Sequence, residues 1–239
     1  MHETRHQFRE DLKAVEGQVL GGLDLVVSQL DRAQEALSYQ DVELAQMVVA
    51  DDDRIDGRYL EVHQGILSLL ARQAPVAGDL RIVAALLHVV RCIERMGDQC
   101  VNIAKLVPLS GYESPKDKVI LDAIERMGEL ARSQTIQAHD ALGTRDVALA
   151  QGLVSQDAEI NRLNREIFRR AVEIGDDIDM REWGMFMILV ARCLERIGDN
   201  TVDIAEQVVF IVTGLFREMD PTVVVGGEGG FDRGRRPPF

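Results

Sequence analysis

The chain has 239 residues, of which 46% are hydrophobic and only 5% aromatic, and its net charge is −13. This length allows one large domain or two small ones, and the composition favours Leu-, Val-, Ile- and Ala-rich helix packing over an aromatic-rich β-sandwich. The acidic balance, without a Lys/Arg cluster in the folded part, excludes a nucleic-acid partner. Three sparse cysteines, a polar amino terminus and apolar runs too short to span a membrane predict a reduced, cytoplasmic protein.

Apolar residues recur at helical spacing from about residue 6 to residue 38, which predicts a first helix. A second helix follows, with Asp41 as its expected N-cap and an end near Gln73. No stretch of the chain alternates between polar and apolar residues as a half-buried strand would. The first two elements are therefore predicted to be two long helices joined by a short turn.

A third helix is expected after Pro75 and Gly78, which break the second one, with Asp79 as its N-cap. It should end before the segment PLSGYESPKD. Within that segment, Ser114 is the expected N-cap of a fourth helix and Pro115 its first residue. The segment therefore separates two groups of helices.

The second half of the chain repeats the first. EALSYQDVELAQ (35–46) matches DALGTRDVALAQ (140–151), and VVRCIERMGDQCVNIA (89–104) matches LVARCLERIGDNTVDIA (189–205). The second copy is four residues shorter, and its second turn is expected between Gly175 and Asp179. The predicted fold is all-α, a tandem repeat of two antiparallel three-helix bundles with six long helices. The bundles are placed at residues 5–108 and 115–217, and a disordered tail rich in Gly and Pro is expected at residues 221–239.

Each copy carries the same costly pentapeptide, ERMGD at 94–98 and ERIGD at 195–199. A glycine in a helix interior costs about 1 kcal/mol relative to alanine, and two acids four residues apart share one helix face and repel each other. Close approach of a neighbouring helix or of a ligand would explain Gly97 and Gly198. Shared descent of the two copies alone would also explain them.

The helix before the first pentapeptide contains another acidic pair, Asp52 and Asp56. The midpoint between this pair and the pair of Glu94 and Asp98 falls at Pro75, in the turn. Residues equidistant from the turn of an antiparallel hairpin lie side by side, so the four acids are expected to converge. The second copy has the same arrangement, with Asn161 at one acidic position and a further acid, Asp203, on its third helix.

Carboxylates held together without a counter-ion raise one another's pKa, and a multivalent cation removes that cost. Oxygen ligands suit Mg²⁺, Ca²⁺, Mn²⁺ or oxidised iron, and the lack of thiolates among them argues against structural zinc. The alternative is a metal-free network in which the arginines of the two motifs neutralise the acids. The predicted metal ligands are Glu94, Asp98, Glu195, Asp199, Asp52, Asp56, Asp157 and Asp203.

The remaining motifs predict no catalytic or organic-cofactor site. ERMGE at 125–129 is interpreted as helix surface, and the cysteines as small buried hydrophobic residues. The five histidines form no predicted ligand constellation, and the one ExxH sequence lies at the amino terminus, which argues against a ferritin-like di-iron oxidase. A phosphate-binding glycine loop, a nucleophile elbow and HExxH are all missing. The sequence therefore predicts a protein that is not an enzyme.

The chain resembles the PhoU family of regulators associated with bacterial phosphate uptake. The resemblance covers about residues 5–216 and rests on the tandem repeat and the segments ERMGDQCVNIA and ERIGDNTVDIA. APVAGDLR and the pair DDDRID and SQDAEIN extend it. It implies two similar three-helix bundles lying side by side, with E(D)xxxD motifs that hold metal clusters, iron or alternatively zinc, manganese or magnesium. Asn161 departs from the acidic pattern and weakens the second site.

The resemblance also implies a role in signalling. The protein would link the ATPase subunit of the phosphate ABC transporter to a membrane sensor histidine kinase, and would repress phosphate uptake and the phosphate-starvation response when phosphate is plentiful. It would act as a homodimer in the cytoplasm, reaching the inner face of the membrane through these partners. The competing interpretations are a carboxylate-bundle protein for metal storage or metal-dependent hydrolysis, and a helical scaffold with arginine-neutralised acids.

Overall fold

The computed structural model describes residues 2–72, 75, 77–111, 116–216 and 219. Within these ranges all regular secondary structure is helical, as predicted. The tail beyond Pro221, which was expected to be disordered, lies outside the described residues. The helices are α1 (His2–Tyr39), α2 (Val42–Ala50), α3 (Asp53–Arg72), α4 (Ala77–Leu106), α5 (Lys118–Thr144), α6 (Val147–Val172) and α7 (Ile178–Thr213).

The predicted all-α tandem repeat is confirmed, with one difference between the copies. The second predicted helix is divided into α2 and α3 by a turn at Asp51 and Asp52, whereas α6, its counterpart, is continuous. Three consecutive aspartates occupy residues 51–53, and aspartate side chains favour caps and turns over helix interiors. Arg32 donates a 2.6 Å hydrogen bond to the Asp51 carboxylate, which holds the turn against α1.

Two of the predicted N-caps, Asp79 and Ser114, are not the residues at which the helices begin. Asp79 lies in the first turn of α4, which begins at Ala77. The second turn of the second copy ends at Asp177, two residues before the expected Asp179, and the Asp177 carboxylate accepts from the Met180 N–H. Several neighbouring polar residues make comparably good caps, so propensity alone does not determine which of them begins a helix.

The cap of α5 differs in the same way. Asp117 accepts hydrogen bonds from the backbone N–H groups of Val119 and Ile120, so the expected start at Ser114 and Pro115, which lie outside the described residues, is wrong. By contrast, Asp41 caps α2 as predicted. Both repeats therefore enter their second helix through an equivalent aspartate cap, Asp41 in the first and Asp146 in the second.

The two bundles share one continuous hydrophobic core. The most extensive contact between any two helices is that of α4 with α7, the third helices of the two repeats. These helices run antiparallel, because Asp203, late in α7, lies beside His88 and Cys92, whereas Cys193 lies close enough to Cys100 to affect its pKa. The ERMGD and ERIGD segments consequently meet near the middle of this crossing. Among the described helices, none is long and apolar enough to cross a membrane.

Candidate metal centre

The four acids of the first repeat lie together at the junction of α2 and α3 with α4. Burial raises the pKa of the Asp52 carboxyl, and the charges of Asp56 and Asp98 raise it further. Burial also raises the pKa of Glu94, and Asp98 and Asp56 add to this effect, against the opposing charge of Arg91. The geometry of the hairpin thus places the acids of its two helices within electrostatic reach of each other.

The second repeat forms a similar cluster around Asp157 of α6. Burial, followed by the charges of Asp199 and Glu195 on α7, raises the pKa of Asp157 from its ordinary value of 3.8 to about 6. Burial and Asp199 raise the pKa of Glu195 as well. Asn161, at the position where an acid was expected, donates a 2.6 Å hydrogen bond to Asp157 Oδ2. The amide therefore orients one carboxylate in place of supplying another.

Asp203 lies at the edge of this second cluster and faces the first repeat. Burial raises its pKa, while His88 and Arg95 of α4 oppose the rise. Burial raises the pKa of Asp199, the charge of Arg192 opposes that rise, and the charge of Asp203 adds a smaller rise. Asp203 therefore lies between the second carboxylate cluster and α4.

Arginines neutralise these acids only in part. Arg192 directly contacts Glu195, and Arg91 Nε lies 3.8 Å from Glu94 Oε2. In the part of the chain that the structure describes, the three aspartates Asp98, Asp199 and Asp203 form no ion pair within 4.0 Å. Direct arginine contacts are thus present at the two glutamates, whereas Asp199 and Asp203 are affected by Arg192 and Arg95 only at longer range.

Within the described residues, two buried carboxylate oxygens accept no hydrogen bond, Glu94 Oε2 in the first repeat and Asp157 Oδ1 in the second. A buried acceptor without a partner costs roughly 1–3 kcal/mol. A cation bound to these oxygens would remove that cost, and carboxylate oxygens are ligands that hard cations prefer. Glu94 and Asp157 are therefore candidate ligands for a cation, but within the described residues no three of the predicted carboxylates bring one oxygen each to within 4.8 Å of one another.

Residues of both pentapeptides line one groove of about 460 Å³ between α4 and α7. A smaller groove of about 260 Å³ adjoins it on the side of α6. The larger groove is lined by Arg91, Glu94, Arg95, Asp98, Gln99, Arg196, Asp199, Asn200 and Asp203. Glu94 and Asp98 of the first repeat and Asp199 and Asp203 of the second are thus accessible from one shared surface.

Close helix packing accounts for the repeated glycines. A Cβ atom at Gly97 would lie 2.9 Å from Ile55 Cδ1 of α3, and one at Gly198 would lie 2.6 Å from Asp157 Oδ1 of α6. Real Cβ atoms essentially never approach a neighbouring atom this closely. The glycines allow the helix that carries the second acidic pair to approach the ExxxD helix, so shared descent is not their only explanation.

Two buried glutamines belong to the sites and were missed in the sequence. Gln29 of α1 is 2% exposed, donates a 3.4 Å hydrogen bond to the Val48 carbonyl and opposes the rise in the pKa of Asp52. Gln134 of α5 is fully buried and accepts from Thr201. They lie 105 positions apart, the same shift that relates the first helices of the two copies. A polar residue retained at one core position of both copies was the signal that could have identified them.

A third cluster was also missed. His88, Cys92 and Asp203 each place one donor atom within 4.8 Å of the other two, and among the described residues they are the only three His, Cys, Asp or Glu residues to do so. The sequence did not predict that the His88 imidazole would lie beside a cysteine and a carboxylate. Cys92 is buried as expected, and burial raises the pKa of its thiol to about 12. The i, i+4 spacing of His88 and Cys92 was the available signal.

The exposed placement of Glu125 and Glu129 on α5 agrees with the interpretation of ERMGE as helix surface. Arg126 donates a 2.9 Å hydrogen bond to Glu129 there. This pair has the spacing of the ExxxD motifs, but both of its side chains are exposed. It serves below as a matched comparison for the two clusters.

The fold and the sites define a class of protein, a tandem pair of three-helix bundles whose third helices meet through acidic ExxxD motifs. The PhoU domain family matches residues 22–107 and 124–208. The chain belongs to the PhoU family, as its resemblance predicted.

Individual relatives match along nearly the whole chain. A phosphate-specific transport system accessory protein PhoU homolog of Clostridium acetobutylicum is 30% identical over 214 residues, 88% of this chain and 96% of that protein. The protein of the same description from Caulobacter vibrioides is 32% identical over 213 residues, 88% of this chain and 92% of its own.

Two crystal structures share the fold. The phosphate transport system regulatory protein PhoU from Streptococcus pneumoniae superposes with a TM-score of 0.82 at 25% identity, covering 88% of this chain and 99% of that one. PhoU from Pseudomonas aeruginosa gives a TM-score of 0.80 at 30% identity, covering 87% and 100%. The likeness therefore extends over both repeats.

Proposed function

We propose that this protein is an accessory regulator of phosphate-specific transport that holds metal ions in its two carboxylate clusters. The observation that carries the proposal is that acids from both ExxxD motifs, Glu94, Asp98 and Asp199, line one groove at the α4–α7 crossing. In addition, 88% of the chain matches relatives described as transport accessory proteins. A bound cation at either motif would alter the charge of a surface that both bundles share.

Each repeat would supply its own ligands. Carboxylate oxygens suit iron, manganese and magnesium, and each cluster has a buried oxygen to which no group in the described part of the chain donates a hydrogen bond. In the first repeat the ligands would be Asp52, Asp56, Glu94 and Asp98, and in the second Asp157, Glu195 and Asp199, with Asp203 at the edge. A cation there would neutralise the acids and tie α4 to α2 and α3, and α7 to α6.

The regulatory role proposed is a link between the ATPase subunit of the phosphate ABC transporter and a membrane sensor histidine kinase. Through these partners the protein, acting as a homodimer on the cytoplasmic side, would reduce phosphate uptake and keep the phosphate-starvation response off. The description of the Streptococcus pneumoniae relative as a transport regulatory protein supports regulation over catalysis. The following experiment distinguishes this regulatory role from the alternative, a protein for metal storage or metal-dependent hydrolysis.

The test uses a strain lacking the gene, complemented with the wild-type chain or with the variant Glu94→Gln/Asp98→Asn/Glu195→Gln/Asp199→Asn. In phosphate-rich medium we expect the deletion to switch on a phosphate-starvation reporter, and the wild-type chain to switch it off. We expect the variant to leave the reporter on, and the purified variant to have lost the metal that plasma mass spectrometry finds in the wild type.

The matched control is Glu125→Gln/Glu129→Gln, which changes a solvent-exposed pair of the same spacing on α5. It should repress the reporter and retain metal like the wild type. Full repression by the metal-free variant would contradict a regulatory role for the metal. A reporter that stays off in the deletion strain would contradict the regulatory proposal itself.

A further inference from the structure

A side-chain cluster of mixed chemistry lies at the α4–α7 crossing, beside the carboxylate clusters. His88 and Cys92 are four residues apart on α4 and so share one face of that helix. Asp203 of α7 faces them from the other repeat. One nitrogen, one sulfur and one carboxylate oxygen lie within 4.8 Å of one another.

We propose that His88, Cys92 and Asp203 form a binding site for a thiophilic divalent cation, typified by Zn²⁺, that joins the two repeats. Imidazole, thiolate and carboxylate are the three zinc ligands of proteins, and three protein ligands with water in the fourth position make an open tetrahedral site. A thiolate selects zinc over magnesium, calcium or manganese. The site therefore differs in metal preference from the oxygen-only clusters.

The geometry requires only a small adjustment. Ligand bonds of about 2.0–2.3 Å in a tetrahedron place the donor atoms roughly 3.3–3.8 Å apart. The donors here lie within 4.8 Å, so they must close by about 1 Å. His88 is exposed and free of the core packing that fixes Cys92, so its side chain can make that movement. The thiol proton passes to solvent when the sulfur binds the ion.

The repeat supports the assignment because the equivalent place in the other copy lacks two of the ligands. The shift of 101 positions that aligns the third helices pairs Cys92 with Cys193, but pairs His88 with Leu189 and Asp203 with Asn102. Cys193 is likewise buried. The chain thus contains a matched cysteine in an equivalent helix, and the two positions aligned with His88 and Asp203 carry neither imidazole nor carboxylate.

The test uses the full-length, reduced and chelator-treated protein titrated with Co²⁺ as a spectroscopic probe for zinc. We expect a thiolate-to-cobalt charge-transfer band in the wild type that disappears in Cys92→Ser and is weakened in His88→Gln. Zn²⁺ affinity should fall by at least about tenfold in either variant, at least the loss caused by removing an outer-shell partner of a metal ligand. His88→Gln changes an exposed side chain, so it tests the site even if Cys92→Ser fails to fold.

Two controls keep this result separate from the proposed function. Cys193→Ser should retain the band, and so should the Glu94→Gln/Asp98→Asn/Glu195→Gln/Asp199→Asn variant, because neither removes a ligand of this site. The band would be absent from the wild type, or would persist in Cys92→Ser, if the inference were wrong. Loss of the band in the four-amide variant alone would place the ion in the carboxylate clusters and also overturn it.

Discussion

Among the acids of the second cluster, Asp157 is the residue whose negative charge destabilises the folded protein most. The residue is 9% exposed, one of its carboxylate oxygens accepts no hydrogen bond from the described residues, and two α7 carboxylates lie nearby. Burial, and after it Asp199 and Glu195, raise its pKa from 3.8 to about 6. The protonated form is therefore favoured in the folded chain, so the stability from this group is complete below pH 3.8 and is lost as the pH rises through about 6.

This shift predicts the effect of Asp157→Asn in the metal-free protein. At pH 7 the neutral amide should raise the free energy of unfolding by up to about 3 kcal/mol, the equivalent of the pKa rise. The gain should shrink towards zero at about pH 4, where the aspartate of the wild type is itself protonated. Urea unfolding of chelator-treated protein at both pH values measures it, with the exposed Glu125→Gln as the control that changes little. An equal gain at both pH values would show that buried charge is not its cause.

At the scale of helices, the close approach of α6 to α7 depends on Gly198. An added methyl group would lie 2.6 Å from Asp157 Oδ1 and 3.2 Å from both Gln134 Oε1 and Ile160 Cδ1. Overpacking of this kind typically costs 1–3 kcal/mol. The neighbours belong to buried side chains of two other helices, so they cannot move aside without disturbing the core.

Gly198→Ala should therefore lower the free energy of unfolding by about 1–3 kcal/mol, although alanine is the better helix former. Gly21→Ala on α1 is the matched control, because nothing lies within 4 Å of its added Cβ. That control should stabilise the protein by up to about 1 kcal/mol. Urea midpoints at unchanged m-value measure both. If Gly198→Ala also stabilised the protein, close packing would not explain the glycine.

Sequence reasoning succeeded where one helix pair or one repeat supplies the constraint. The turn at Pro75 fixes which residues of an antiparallel hairpin are neighbours, so the approach of Asp52 to Asp98 follows from counting positions. The internal repeat then transfers the same geometry to Asp157 and Asp199. Helical periodicity likewise gave the all-α class, since apolar spacing reports local structure directly.

Sequence reasoning failed where the position of a side chain depends on contacts between helices that are distant in sequence. Asp203 lies beside His88 only because α4 and α7 cross antiparallel. No pattern within the sequence of either helix specifies how the two helices cross. Asn161 was read as a lost ligand, whereas its amide donates to Asp157. The break at Asp51 was missed because α6 is continuous at the same position, so the repeat argued for an unbroken helix.

For the whole molecule, the α4–α7 contact determines whether the two bundles behave as one unit. Buried residues of both repeats belong to one hydrophobic cluster, and the third helices share the largest contact between elements. Unfolding one bundle would expose apolar surface on the other, at about 25 cal/mol per Å². The repeats should therefore unfold together in spite of their separate sequence units.

The single tryptophan, Trp183, reports on this coupling because it is 2% exposed and lies on α7 of the second repeat. Ile66 is fully buried on α3 of the first repeat, and Ile66→Ala should cost about 2–5 kcal/mol. If the bundles unfold together, this change in the first repeat should lower the urea midpoint of Trp183 fluorescence and of far-ultraviolet circular dichroism equally. Leu67→Ala, at a neighbouring side chain that is 64% exposed, should move neither. If Ile66→Ala shifted the circular dichroism curve and left the fluorescence midpoint unchanged, the two bundles would fold independently. A metal ion bound in the groove between them would then not stabilise both bundles through one common core.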